Sequence, residues 1–240
     1  MINSKHLSLS VLGALLSYCA YSMDRVTTIS AGPAWYEAGH TQNIELQSDV
    51  VNTYLPSQTT HPLTSGELFT GFQKSIGSTL IGQFGLALGA STNTTIKGDI
   101  WELSDPVFDN FVYQYELRHT QVTVKGILLS KAWSEQWLPY LSAGVGVGFN
   151  KVYDYNTHSK IFAAVPPPPF QSNTQTTFSY MLGVGMQAVF SSHWQAGMGY
   201  LFSDWGASQL SPSLGQTSAN GIQMNHFYTN QLQMSLSYIV

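Results

Sequence analysis

Charged side chains are scarce in this 240-residue chain: nine Lys and Arg and thirteen Asp and Glu, 9% of the total. An average soluble domain carries about 25%. The gap is filled by Ser, Thr, Asn, Gln and Gly, while the hydrophobic share stays at 43%. A net charge of −4 excludes a general nucleic-acid binder, which needs a basic surface. Cys19 is the only cysteine, so there is no disulfide framework and no thiolate metal centre. Past the first 20 residues, no apolar run reaches the roughly 18 residues that a membrane helix needs. Twelve Phe, thirteen Tyr and six Trp exclude a disordered chain.

The N-terminus reads as an export signal. Lys5 gives a positive start, 7–16 (LSLSVLGALL) an apolar core, and Ala20-Tyr21-Ser22 the small residues of a cleavage site. Cleavage after Ser22 makes 1–22 a signal peptide and 23–240 one domain without cysteine. Tyr18, bulky before Cys19, argues against a lipid-modified cysteine.

Period-two alternation dominates the rest. At the C-terminus Leu232, Met234, Leu236, Tyr238 and Val240 alternate with Gln231, Gln233, Ser235 and Ser237. Upstream, Leu141, Ala143, Val145, Val147 and Phe149 alternate with Ser142, Gly144, Gly146 and Gly148. Val122, Val124 and Leu128 oppose Gln121, Thr123 and Lys125. Phe69, Met181 and Leu201 interrupt the polar faces, and Pro33 removes a ladder donor. Eight strands are expected, at 26–36, 66–75, 80–90, 114–130, 138–150, 176–190, 194–204 and 227–240. Short turns (76–79, 131–137, 191–193) alternate with long connections (37–65, 91–113, 151–175, 205–226).

This layout predicts an all-β fold: an eight-stranded antiparallel up-and-down transmembrane barrel with four long extracellular loops and both termini periplasmic. A soluble barrel such as a lipocalin would put charge on its outer face. Here the less apolar face carries Gly, Ser, Gln and Ala, with Lys125 the clearest mid-strand charge. Small and amide side chains suit the filled interior of an eight-stranded barrel. The bulky face then points outward into lipid. Trp35, Tyr36, Trp133, Trp137, Tyr140, Phe190, Trp194, Tyr200 and Trp205 fall near strand ends and are expected to form the interfacial girdles. Lys125, facing the lumen, needs a partner, and Glu67 on the inward face of the second strand is the candidate.

The signal peptide, the eight alternating strands and Tyr238 third from the end resemble the small outer-membrane barrels of Gram-negative bacteria, of the OmpA-transmembrane, OmpX and opacity-type surface antigens. The stretches 29–35 (ISAGPAW), 65–68 (SGEL), 97–102 (KGDIWE), 144–150 (GVGVGFN) and 193–197 (HWQAG) are similar to such proteins. The resemblance spans 23–240. It implies that the last strand, with Leu232, Met234, Leu236, Tyr238 and Val240, is an insertion signal read by the barrel-assembly machinery. The family's signal usually ends in an aromatic, and this chain ends in Val240.

Chemistry-bearing patterns are few. His40, His61, His158 and His226 fall in or beside long loops, His119 toward the outer end of the fourth strand and His193 at a turn. No two stand at metal-ligand spacing on one strand. His158-Ser159 is the only His-Ser step and has no strand expected around it. The connection 91–113 is acidic and aromatic, and Pro166–Pro169 forms a stiff polyproline segment. The expected protein is non-enzymatic, with no catalytic, cofactor or metal site. Its expected partners are outer-membrane lipid and lipopolysaccharide, the assembly machinery, and a host or envelope ligand at the loops. A narrow porin-like channel is the alternative.

Overall fold

The computed structural model describes residues 23–37, 39–57, 62–162 and 164–240. The expected signal peptide, 1–22, lies outside the described residues. In chain order the strands are β1 (Asp24–Tyr36), β2 (Gln42–Gln47), β3 (Val50–Pro56), β4 (Leu63–Ile76), β5 (Leu80–Ser91) and β6 (Thr94–Trp101). They continue with β7 (Asp109–Ser130), β8 (Trp137–Ser159), β9 (Asn173–Val189), β10 (Trp194–Asp204), β11 (Ser208–Gln209), β12 (Gln223–Met224) and β13 (Tyr228–Ile239). Eight of them close a ring in which every pairing is antiparallel: β1, β4, β5, β7, β8, β9, β10 and β13. The seam joins the first and last strands, from Val26 opposite Ile239 to Tyr36 opposite Thr229. Closure leaves the ring with no free edge. At the seam Gly32 lies so close to the Leu232 carbonyl that a Cβ could not fit. Gly77, at φ +68°, supplies the left-handed residue of the tight β4–β5 turn.

Strand length divides the molecule into two zones. A tilted membrane strand needs about 9–11 residues. β5, β10 and β13 have 12, 11 and 12, whereas β7 and β8 have 22 and 23. The outer halves of β7 and β8 project beyond the ring and carry β6, β3 and β2 side by side. The expected loops 37–65 and 91–113 therefore hold a β2–β3 hairpin and strand β6. The free edge of β2 is covered by the connection before β13, where Thr217 N donates to Leu46 O and Gln223 N to Gln42 Oε1.

Alternation changes sign between the zones. In the ring, outward-facing Val122, Val124, Leu128, Leu141, Val145 and Val147 are exposed, and inward-facing Gln121, Thr123, Lys125 and Ser142 are buried. In the projecting part of β7, inward-facing Phe111, Tyr113, Tyr115 and Leu117 are buried, and Gln114, Glu116 and Arg118 face out. The same holds for Ile44 and Leu46 on β2 and for Ile96 and Ile100 on β6. Two apolar cores result. A large aromatic one fills the projecting cap, and a smaller one, with Val26, Phe69, Ile81, Leu129, Leu138 and Ile239, closes the opposite end. Phe69, which broke the polar face of its strand, does so because it belongs to this plug.

Candidate functional site

Between the two cores lies a polar lumen layer. Lys125 Nζ and Glu67 Oε1 meet there at 2.5 Å, with side chains 5% and 6% exposed. The two strands are separated by β5. Gly85 stands opposite Lys125 and Gly89 opposite Glu67, so the small inner face of β5 leaves room for the long Lys side chain to cross. The expected pairing of these two residues is present in the structure. A cavity of about 20 Å³ adjoins the pair, lined also by Thr28, Ser30 and Tyr140. Since one water needs roughly 10–15 Å³, this is space for a water or two.

A second polar cluster sits where the lumen meets the cap. The His119 ring stacks on Trp205 with centroids 4.3 Å apart. His119 Nδ1 lies 2.7 Å from Asn150 Oδ1, and Asn150 Nδ2 donates to the carbonyls of Trp205 and Ala207, both at 2.8 Å. One amide thus joins β7, β8 and the chain leaving β10. Nearby, the buried Asp204 carboxylate accepts from Gly206 N and holds His226 Nδ1 at 2.7 Å. This contact ties the His226 ring, before β13, to the chain leaving β10.

The cap core is built from rings: Tyr54 meets Tyr113 and Phe170 edge-on, and Phe170 meets Tyr155. Asp154, a non-glycine at φ 53°, forms a bulge that turns Tyr155 inward. Burial pushes the Tyr155 hydroxyl up to about 12, and holds Tyr54, Tyr113 and Tyr115 strongly raised as well. The proline run carries Phe170 into this core and accepts a hydrogen bond from Ser213 Oγ at Pro168 O. In the acidic connection, Asp99 and Asp109 both bind Lys160 Nζ, at 2.6 and 2.7 Å, and Glu102 accepts from Asn110. At the apex Leu103 is held at φ 53° by Asn52, which accepts from its N–H. Leu103, Val107, Phe162, Val165 and Leu214 are exposed there, beside a cleft of about 230 Å³.

The aromatics expected as girdles separate into two groups. Trp35, Trp133, Trp137, Phe190, Trp194 and Tyr200 are exposed on the outer surface. Tyr36, Tyr140 and Trp205 face inward and correct that expectation. Tyr36 stacks on Phe227, Trp205 lies in the cap core, and Tyr140 packs on the opposite plug. The reason is parity: Tyr36 shares the register face of buried Ala34, Tyr140 that of Leu138, and Trp205 that of Ser203. Leu232, Met234, Leu236, Tyr238 and Val240 are exposed on one face at the end of the chain. Asn150, Tyr54 and Tyr155 carry no signal of a site in the sequence, and Tyr113 and Tyr115 read there as part of an acidic, aromatic connection, although the parity of 111–117 marks them as one apolar face.

Neither a family model nor a curated protein matches the sequence. Solved structures do match. The outer-membrane protease OmpT of Escherichia coli aligns over 92% of this chain and 99% of its own, with 8% identity and a TM-score of 0.53. Neisserial surface protein A aligns over 89% and 96%, with 11% identity and a TM-score of 0.46. OprG, an outer-membrane protein of Pseudomonas aeruginosa, aligns over 90% and 95%, with 13% identity and a TM-score of 0.42. The chain has the fold of a small outer-membrane β-barrel. At these identities the likeness concerns the fold, and the barrel's activity rests on its own residues.

Proposed function

We propose that this barrel is a non-enzymatic integral protein of the outer membrane. Its rigid cap presents contact surfaces outside the cell, and both chain ends lie on the periplasmic side. The observation that carries this reading is the reversal of alternation along β7 between Leu117 and Val122. Apolar side chains facing out need an apolar solvent, and apolar side chains facing in need water outside. Trp133, Trp137, Phe190 and Trp194 mark the turn-side interface, and Trp35 and Tyr200 the cap-side one. The outward row Leu232, Met234, Leu236, Tyr238 and Val240 is the surface that the barrel-assembly machinery would read. Lipid and lipopolysaccharide surround the band. The exposed apolar apex around Phe162, Val165 and Leu214 suits a protein ligand of host or envelope origin.

Protease shaving of intact cells tests the topology. Cleavage is expected only in connections of the cap, such as 160–172 and 205–222, and cleavage at 131–136 or 190–193 would overturn it. Replacing Phe162, Val165 and Leu214 with Ser should reduce attachment of expressing cells to its ligand surface without altering folding. The channel alternative finds less support, because an apolar plug and a buried ion pair occupy its path. Discrete conductance steps in planar bilayers, altered by Lys125→Glu, would restore it.

A further inference from the structure

Arg118 on β7 and Lys151 on β8 stand directly opposite each other in the ladder, and both are exposed on the outer surface. Like charges in that position destabilise a sheet unless an anion lies between them. Among the described residues no carboxylate forms an ion pair with either. Glu116, the nearest acidic group on the same face of β7, is turned toward β6, where its Oε1 accepts from Thr95 Oγ1 at 2.6 Å. Lys151 rests over the Tyr153 ring, 5.1 Å from its centroid, which holds the ammonium against the barrel wall. Thr174 faces Lys151 from β9 and offers a third hydrogen-bonding side chain.

The position of the pair gives it meaning. The next outward row toward the ring is Thr120, Phe149 and Thr176, and the one after is Val122, Val147 and Phe178, the start of the apolar band. The cations therefore sit at the upper rim of the lipid-facing surface.

We propose that Arg118 and Lys151 bind the phosphate of an outer-leaflet lipid headgroup, whose acyl chains lie along Val122, Val147, Phe149 and Phe178. Arg offers a planar fork to two phosphate oxygens and Lys a point charge to a third. The site rests on the membrane level proposed above and names the lipid chemistry recognised there.

The test uses the full barrel folded in detergent, with folding checked by heat-modifiable gel mobility. Binding of bisphosphorylated lipid A, its dephosphorylated form and inorganic phosphate is followed by native mass spectrometry. Wild type should hold lipid A at least about tenfold more tightly than Arg118→Gln/Lys151→Gln. The exchange Arg118→Lys/Lys151→Arg should retain most of the binding, and Lys97→Gln all of it. Dephosphorylated lipid A should bind wild type and the double Gln variant alike. Equal lipid A binding by those two proteins overturns the site while leaving the membrane reading standing. Inorganic phosphate retained as well as lipid A also overturns it, by assigning the pair to a free anion. A chain that folds but fails to insert into lipid vesicles defeats the membrane reading instead.

Discussion

The Lys125 ammonium reaches over β5 to the Glu67 carboxylate, and the two form the one buried ion pair found among the described residues of the lumen. Both charges are removed from water, so the contact is held by mutual compensation more than by net gain. Removing one partner strands the other. Lys125→Met or Glu67→Gln is expected to destabilise the barrel by about 3–5 kcal/mol, and the double replacement by much less. Urea unfolding in phospholipid vesicles measures all three. Equal, additive losses would show that the pair is not coupled.

Asn150 serves three acceptors and donors at once in the seal between lumen and cap. Asn150→Ala leaves the Trp205 and Ala207 carbonyls and the His119 ring without it. The cost should be about 1–3 kcal/mol for each group left unsatisfied. Hydrogen exchange should show the loss as faster opening of the cap and of 205–210, with the turn-side plug unchanged.

The cap tyrosines give an alkaline signature. A hydroxyl whose folded pKa is raised contributes stability that is complete below its unfolded value near 10. That stability is lost as pH rises, for Tyr155 through about 12. Tyrosinate absorbance should therefore show the cap tyrosines resisting ionisation until the cap opens. Tyr155→Phe should shift that opening to higher pH, and an unchanged titration would contradict the burial argument.

The eight ring strands were legible because lipid outside and a crowded interior impose one repeating alternation of bulky and small residues. The cap was not, although its alternation is as regular. Ile44 and Leu46 alternate with Asn43, Glu45 and Gln47, but the polar face carries charge and points to water. Such strands lack the uncharged polar face that marks the ring. Tyr36, Tyr140 and Trp205 show a related limit: nearness to a strand end says little, and face parity decides whether a ring meets lipid or the core. The Lys125–Glu67 pair was legible because both residues lie on inward parity and few other charges do.

The lipid-facing surface is sensitive to charge in proportion to depth. Val124→Arg, on the exposed apolar band, should cost about 2–4 kcal/mol in vesicles. Gln114→Lys, on the water-facing side of the cap, should stay within about 0.5 kcal/mol.

The reversal of alternation along β7 is most directly tested by a cysteine scan of 111–129. Cys19 is the chain's only cysteine and falls in the expected signal peptide, so each introduced thiol reports alone. Spin labels at 122, 124, 126 and 128 should collide with oxygen and be shielded from a water-soluble nickel complex. Labels at 112, 114, 116 and 118 should show the opposite, and odd positions should be shielded from both. Nickel accessibility at 122, 124 and 128 would contradict the membrane assignment outright.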